Sequence, residues 1–269
     1  MKKLFYNFYV GPITIIYIAI ALVTGRFYFL FIHLVISLIH ELFHVIGAKI
    51  FKVNVEEITM YPFGFMAKIE DLEQLKPYKQ LIILILGPLS YFFSILILKI
   101  IFEINIISLE SFKNGLEAAK SVLFFNLIPI YPFDGNRILY ASFSLIFEEK
   151  LAQILKVVVS IVSSIFLFKF LIEEEQFIII IFIVIEHIRL LMTLNKNYQN
   201  FLLLRLYEKS ERKIKISTRP RIYRHYENYY LYNNVILDEK QVISLKLSLN
   251  KQKKDKIKKI MLKIKKNFS

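Results

Sequence analysis

The residues best placed to do chemistry are two histidines and a glutamate in one short stretch, His40-Glu41-Leu42-Phe43-His44. Side chains four residues apart lie one above the other on a helix, so both imidazoles can reach a single metal ion while Glu41 lies on the adjacent flank. This HExxH spacing is the signature of zinc proteases, in which the glutamate acts as the base. The stretch therefore predicts a catalytic metal site with His40 and His44 as ligands and Glu41 as the catalytic residue.

The helix that must carry this motif is unusually apolar. Between residues 27 and 48 the charged or strongly polar side chains are His33, Ser37, His40, Glu41 and His44. Ionisable groups at membrane depth are costly and tend to be functional. We interpret Ser37 as a packing residue and prefer the same interpretation for His33, with a role in a proton path as the alternative. A non-catalytic alternative for the motif itself is a pair of core histidines that merely satisfy each other between helices.

The composition indicates a membrane protein. Hydrophobic residues make up 56% of the 269 residues and the mean hydropathy is +0.49, which is too apolar for an ordinary soluble domain. The chain has no cysteine, which excludes disulfides, thiolate metal sites and a cysteine nucleophile. A metal ion must therefore be held by His, Asp, Glu or amide oxygens.

Apolar segments divide residues 1–194 into six predicted spans. The expected fold is an all-α integral membrane domain with a short membrane-associated β-hairpin over residues 58–69. The predicted spans are an uncleaved first segment ending near residue 24, then 27–50, 81–102, a short segment 121–133 broken by two prolines, 146–172 and 177–194. Lysines gather at the N-terminus, in the hairpin loop and in the tail, so we expect both termini to be cytoplasmic.

Residues 195–269 form a predicted basic cytoplasmic tail. It holds 20 Lys/Arg against 6 Asp/Glu, which accounts for the whole net charge of +14. Residues 213–247 predict a few strands, and residues 250–268 predict a basic amphipathic helix. We interpret that helix as a contact for anionic lipid or an acidic partner, with a solvated terminal helix as the alternative. Nucleic acid is not expected as a partner.

Catalytic zinc needs three protein ligands and one open position, so a third ligand must come from elsewhere in the chain. Asp134 has the best context, because it ends an apolar segment broken by prolines and precedes Gly135, which allows close backbone approach. Asn126 on the same segment could bind the substrate backbone or an oxyanion, or serve only as a helix-packing amide.

A further group of polar residues lies in the last predicted span. Glu186-His187 with Arg189 is a second candidate metal cluster. Because these residues lie near a helix end, a salt-bridged pair is the preferred interpretation.

Two motifs together resemble those of the site-2 protease family of intramembrane zinc metalloproteases: HELFH at 40–44 and NLIPIYPFDG at 126–135. The six-span layout, without an insert large enough for a PDZ domain, is similar to the sporulation branch of that family. The resemblance implies zinc bound by His40, His44 and Asp134, with Glu41 as the base and Asn126 near the substrate.

The same resemblance implies a location, a substrate and partners. The protein would lie in a bacterial cell membrane and cut the inactive precursor of a sporulation sigma factor near its membrane-associated pro-sequence, while other membrane proteins hold it inhibited. The hairpin around Gly64 would offer an edge strand to an unwound substrate, since a helical peptide bond is shielded from attack. The sporulation branch carries a nucleotide-binding CBS domain. The tail of this chain shows no sequence pattern that matches such a domain.

Two other functions stay open on the sequence alone. One is a membrane HExxH protease whose third ligand is a glutamate and which cuts at the cytoplasmic face. The other is a lysine-tailed membrane scaffold or transporter in which the buried histidines are structural.

Overall fold

The computed structural model describes residues 7–61, 64–70, 72–173, 177–207, 212–232 and 235–248. Helices dominate these residues, and two three-stranded sheets accompany them. The chain packs as two units, the first within 1–142 and 156–187 and the second within 143–155 and from 188 onward. The domain boundary expected after residue 194 rests on charge and topology and stays a prediction.

The elements of the first unit follow one another with short connections. They are β1 (Asn7–Val10), α1 (Pro12–Val23), α2 (Phe27–Ile50), β2 (Val55–Tyr61), β3 (Gly64–Ile69), a 3-10 turn (Leu72–Gln74), α3 (Pro77–Glu103) and α4 (Leu109–Leu127). Three further helices, which the division into units cuts, complete the list: α5 (Asp134–Ile146), α6 (Glu149–Glu173) and α7 (Phe177–Tyr207).

Three helices in the described part of the chain are long and apolar enough to cross a membrane: α2, α3 and α6. They coincide with the second, third and fifth predicted spans, and the other three predicted spans are not confirmed. The first is shortened because residues 7–10 form a strand, which leaves α1 with 12 residues. The fourth loses its helix at Leu127, where the segment with the two prolines begins.

The first sheet has the strand order β1-β2-β3. Strands β2 and β3 are antiparallel, with Ile58 opposite Ala67, and thus form the predicted hairpin. Strand β1 runs parallel to β2 and was not predicted, because a short apolar run suits a strand as well as the start of a membrane helix. Pairing with the distant strand β2 decides between the two.

Helices α2, α3 and α4 pack around a shared apolar cluster that includes Ile36, Leu98, Ala119 and Val122. Helix α3 starts with Pro77, whose missing N–H is not needed in the first turn, and continues past the internal Pro88. This packing brings the middle of α3 against the turn of α2 that carries the histidines.

Residues 128–133 connect α4 to α5 without regular structure, as their two prolines predict. The Tyr131–Pro132 peptide bond is cis. Ile130 is fully buried, in a cluster with Leu167, Leu171 and Ile183. Pro132 is also buried and the other four residues are half-buried, so this irregular backbone is partly packed in protein, a condition for such backbone among apolar spans.

The second unit contains the predicted strands of the tail. Strand β4 (Lys213–Ser217) is parallel to β5 (Tyr226–Tyr232), which pairs antiparallel with β6 (Val235–Leu237). The end of the stretch predicted as strands is helical instead, over residues 239–248. Its Ile243 packs with Leu202 of α7, an apolar contact that favours a helix there. The predicted basic helix 250–268 lies outside the described residues.

Candidate active site

The carboxylate of Asp134 lies against both histidines of the helical motif. Its Oδ2 is 2.9 Å from Nε2 of His40 and 2.7 Å from Nε2 of His44, and the two Nε2 atoms are 3.2 Å apart. All three side chains are buried. Within the described residues, this is the group of histidine and acidic side chains whose ligand atoms converge closely enough to hold a metal ion. The structure thus brings together the three residues that the sequence suggests as ligands.

The hydrogen bonding of His44 fits a metal ligand. Its Nδ1 lies 2.9 Å from the carbonyl oxygen of Ile83, and because a carbonyl only accepts, Nδ1 must carry the proton. In the neutral ring Nε2 then holds a lone pair, which faces the Asp134 carboxylate and the ring nitrogen of His40. Electron-pair donors that converge in a buried place repel one another unless a cation lies among them. Two imidazoles and one carboxylate, oriented by a backbone carbonyl, are a ligand set that suits zinc.

Helix α3 can come so close to the histidines only because residue 87 is a glycine. A Cβ atom at Gly87 would overlap Nε2 of both His40 and His44. The backbone of α3 therefore forms one wall of the ligand cluster. In the sequence Gly87 is noticeable only as the neighbour of Pro88, so the sequence alone does not predict its contact with the histidines.

A second glycine allows the third ligand to reach the site. A Cβ atom at Gly135 would overlap the carbonyl oxygens of Leu127 and Ile128. The start of α5 thus folds back onto the end of α4, the close backbone approach that the sequence predicts at Gly135. Asp134, the preceding residue, is the first residue of α5.

Glu41 and Ser37, one turn apart on α2, both accept hydrogen bonds from strand β3. Oε2 of Glu41 accepts from the backbone N–H of Ala67 at 2.8 Å, and Oγ of Ser37 accepts from that of Phe65 at 2.9 Å. N–H groups two residues apart point to the same edge of a strand, so α2 holds β3 at two points of one edge. Ser37, which was expected to pack, also fixes β3 through this hydrogen bond. Its spacing of four residues from Glu41 was the available signal.

Gly64 begins β3 with φ of 144°, a backbone conformation that favours glycine. A Cβ atom there would overlap Oγ of Ser37, so glycine also lets the strand lie close to α2. Because the N–H groups of Phe65 and Ala67 are already bonded to α2, β3 does not present them to another strand. The family resemblance implies that the hairpin offers an edge strand to a substrate, but α2 already occupies part of this edge of β3.

A cavity of about 590 Å³ is lined by Glu41 and Asp134 and extends along α2 to Arg26. Phe65 and Met66 of β3 form part of its wall. Asn126 lines the same cavity, and its Nδ2 donates to the carbonyl oxygen of Val122 at 2.9 Å, so the amide also has the helix-packing contact. The cavity offers a partly open, largely apolar space beside the ligand cluster.

The polar group near the end of the last predicted span is not a second metal cluster among the described residues. Instead, Nε2 of His187 is hydrogen-bonded to Ser160 of α6 at 2.8 Å. Its Nδ1 donates to the carbonyl oxygen of Ile183.

Two buried histidines and a glutamate on one membrane-length helix, joined by an aspartate from another helix, are typical of membrane zinc metalloproteases. The comparisons with known proteins lead to a particular family within this class. The chain is 31% identical over 136 residues to stage IV sporulation protein FB of Bacillus subtilis, a match that covers 51% of this chain and 47% of that protein. It is 36% identical over 126 residues to a zinc metalloprotease of Methanocaldococcus jannaschii, which covers 43% of this chain and 34% of the relative. These similarities support the assignment of the chain to the site-2 protease family.

The fold is similar to the solved structure of the site-2 protease from Methanocaldococcus jannaschii. The TM-score is 0.56 with 21% sequence identity, covering 70% of this chain and 92% of the other, so the likeness concerns the fold. No protein-family model matches the chain. The chain spans about half the length of the first curated relative and about a third of the second.

Proposed function

We propose that this protein is an intramembrane zinc endopeptidase that cleaves a membrane-associated regulatory protein. The observation that carries the proposal is the meeting of Asp134 with His40 and His44, although 90 residues separate Asp134 from His44 in the chain. A non-catalytic scaffold has no need for three converging ligands beside a buried glutamate. Among the described residues no glutamate joins this cluster, which favours aspartate over glutamate as the third ligand.

Zinc held by these three side chains would supply Lewis-acid polarisation of the scissile carbonyl and lower the pKa of water in the site. The protein's own part in the reaction belongs to Glu41. Since its Oε2 receives the Ala67 N–H, we assign proton transfer to Oε1. Glu41 takes a proton from the attacking water and delivers it to the nitrogen of the leaving amine as the C–N bond breaks.

The cavity supports an extended peptide as substrate. Its lining beside Glu41 includes Phe65 and Met66 of β3, and Asn126 lines the same cavity. We assign Asn126 and the hairpin that starts at Gly64 to substrate contact, with Gly64 acting through the close placement of β3 on α2. An unwound segment is required because a helix hides its own peptide bonds.

We further propose a substrate, partners and an orientation of the chain in the membrane. Similarity to the sporulation relative supports a membrane-associated protein substrate. The resemblance of the two sequence motifs to the sporulation branch implies more narrowly a sigma-factor precursor as the substrate and inhibitory membrane proteins as partners. The basic residues from 195 onward favour a cytoplasmic position of both termini in a bacterial cell membrane and contact with anionic lipid.

The decisive experiment is coexpression of the full chain with candidate membrane-bound sigma-factor precursors, followed by detection of the shortened product. Wild type is compared with Glu41→Gln, and Glu110→Gln, an exposed position on α4, serves as the matched control. We expect product with wild type and Glu110→Gln and none with Glu41→Gln, while all three purified proteins contain one zinc per chain. Cleavage by Glu41→Gln at the wild-type rate would overturn the catalytic proposal. Cleavage of another tethered protein but of no sigma-factor precursor would overturn the narrower substrate alone.

A further inference from the structure

A directed chain of hydrogen bonds holds the irregular segment 128–133 to α6 and α7. The backbone N–H of Tyr131 donates to Oγ of Ser160 at 2.8 Å. Oγ of Ser160 in turn lies 2.8 Å from Nε2 of His187. Nδ1 of His187 lies 2.8 Å from the carbonyl oxygen of Ile183, one turn earlier on α7. The chain thus links the backbone just before Asp134 to a side chain 27 residues beyond Ser160.

A neutral His187 gives every proton in this chain a determined place. The carbonyl of Ile183 only accepts, so Nδ1 of His187 must be protonated and Nε2 must be the acceptor. The hydroxyl of Ser160 therefore donates to Nε2, and its oxygen accepts from the N–H of Tyr131. His187 thus sets the rotation of the hydroxyl, and the hydroxyl presents its lone pair to the segment.

The hydrogen bond between Tyr131 and Ser160 lies in a largely buried environment, so it contributes to the position of the segment. Ser160 is fully buried, and so is Ile130, the residue before Tyr131. Tyr131 itself is half-buried, and a backbone N–H removed from water without an acceptor is costly, so the hydrogen bond to Ser160 stabilises the segment in this position. Asn136 adds a second attachment, since its Nδ2 donates to the carbonyl oxygen of Lys156 on α6 at 2.9 Å.

We propose that Ser160 and His187 are positioning residues for the third metal ligand. Asp134 follows Tyr131 by three residues and begins α5 directly after a segment that lacks repeating helical hydrogen bonds, so the position of this helix end depends on tertiary attachments of this kind. The hydrogen-bond chain holds Tyr131 and thereby keeps the Asp134 carboxylate at the Nε2 atoms of the two histidines. This inference rests on the proposed zinc centre, which it deepens by naming what holds one ligand in place.

Ser164 offers a matched control on the same helix face. Its Oγ is 3.3 Å from the same Nε2 of His187 and donates to the carbonyl oxygen of Ser160 at 2.8 Å. It is also buried, at 4% exposure, yet its bonds run to its own helix and to the histidine rather than to the segment 128–133. Ser164→Ala therefore removes a similar hydroxyl without removing the acceptor of Tyr131.

The test is the zinc affinity of the purified full-length protein in detergent, measured by competition with a chromogenic chelator. We expect Ser160→Ala to weaken zinc binding about tenfold or more, the range seen when a residue that supports a ligand is removed. His187→Phe, which keeps a ring and loses the acceptor, should weaken binding in the same direction. Ser164→Ala should stay within about twofold of wild type. Ser160 and His187 act in series. The double variant Ser160→Ala with His187→Phe should therefore bind zinc no more weakly than whichever single variant has the lower zinc affinity.

Thermal unfolding of each variant separates positioning from general stability. A merely structural role would lower the unfolding temperature and leave the zinc affinity of the folded protein unchanged, and that result would overturn the inference. Equal affinities of wild type, Ser160→Ala and His187→Phe would do the same. If instead wild type itself binds no zinc, the proposed function fails first, so the two failures are distinguishable. Should Ser160→Ala not fold, His187→Phe decides alone.

Discussion

The carboxylate of Glu41 accepts a hydrogen bond from the backbone N–H of Ala67 at 2.8 Å, so a strand orients the candidate base of the site. One turn earlier on α2, Ser37 accepts the N–H of Phe65 in the same way. A backbone donor keeps its proton at every ordinary pH, which makes it a dependable support for a carboxylate that must exchange protons. The orientation of Glu41 therefore depends on the hairpin as well as on α2.

Removing the hydroxyl of Ser37 should weaken this support without touching the metal ligands. Because one net hydrogen bond is worth about 1 kcal/mol, we expect Ser37→Ala to lower the cleavage rate by about fivefold and to leave zinc content unchanged. Ser142→Ala is the control, since that hydroxyl bonds only to the carbonyl of Ile138 in its own helix among the contacts described. Rates measured on one substrate at equal zinc loading provide the comparison. An unchanged rate for Ser37→Ala would show that the second contact is dispensable.

A methyl group at residue 87 should displace the histidines from their common position. We expect Gly87→Ala to lose stoichiometric zinc, because the added Cβ would overlap Nε2 of both His40 and His44. In Gly115→Ala the new Cβ would meet only the flexible end of Leu98, and zinc should be retained. Metal analysis of the two purified variants is the measurement. Full zinc occupancy in Gly87→Ala would contradict the close approach of α3 to the ligands.

Replacement of Asp134 distinguishes the aspartate site from a protease whose third ligand is a glutamate. Asp134→Asn keeps the shape of the side chain and removes its charge, so we expect zinc content to fall well below one per chain. The glutamate alternative predicts no loss. Glu110→Gln again serves as the control, and metal analysis after dialysis against a weak chelator is the readout. Retention of zinc by Asp134→Asn would favour the alternative.

The second unit should depend on one buried ion pair. Arg205 forms two hydrogen bonds with Glu239, from Nε at 2.6 Å and from Nη2 at 2.7 Å, and both side chains are buried. Removing one partner leaves a buried charge, so Arg205→Leu should lower the stability of this unit by about 3–5 kcal/mol. The double variant Arg205→Leu with Glu239→Leu should recover part of that loss.

Native-state proteolysis measures this effect, because the cleavage rate follows the population of the opened unit. Leu203→Ala, at an exposed position of the same helix, provides the control and should change the rate little. Equal proteolysis rates for Arg205→Leu and wild type would show that solvent reaches the pair and replaces the lost partner.

Local sequence signals account for a large part of the structure. The apolar runs of α2, α3 and α6, the hairpin of β2 and β3, and the proline-broken segment before Asp134 all follow from short-range preferences. Strand β1 and the length of the N-terminal helix do not follow from such preferences. The short run Asn7–Val10 fits a strand as well as the start of a helix until a partner strand is present. The close packing at Gly87 and the contacts of His187 could not be predicted from residue spacing either, whereas the spacing of Ser37 from Glu41 did offer a signal.

By itself the sequence determined that two imidazoles lie one turn apart on the same side of an apolar helix, with a glutamate on the adjacent flank, because helical spacing is a local property of the chain. It also determined which distant carboxylate had a suitable context. Only the tertiary structure decided that Asp134 reaches those imidazoles, that β3 holds Glu41, and that α6 and α7 hold the segment before Asp134. These relationships join residues far apart in the chain, and they depend on the packing of whole helices and on single hydrogen bonds that no periodicity records.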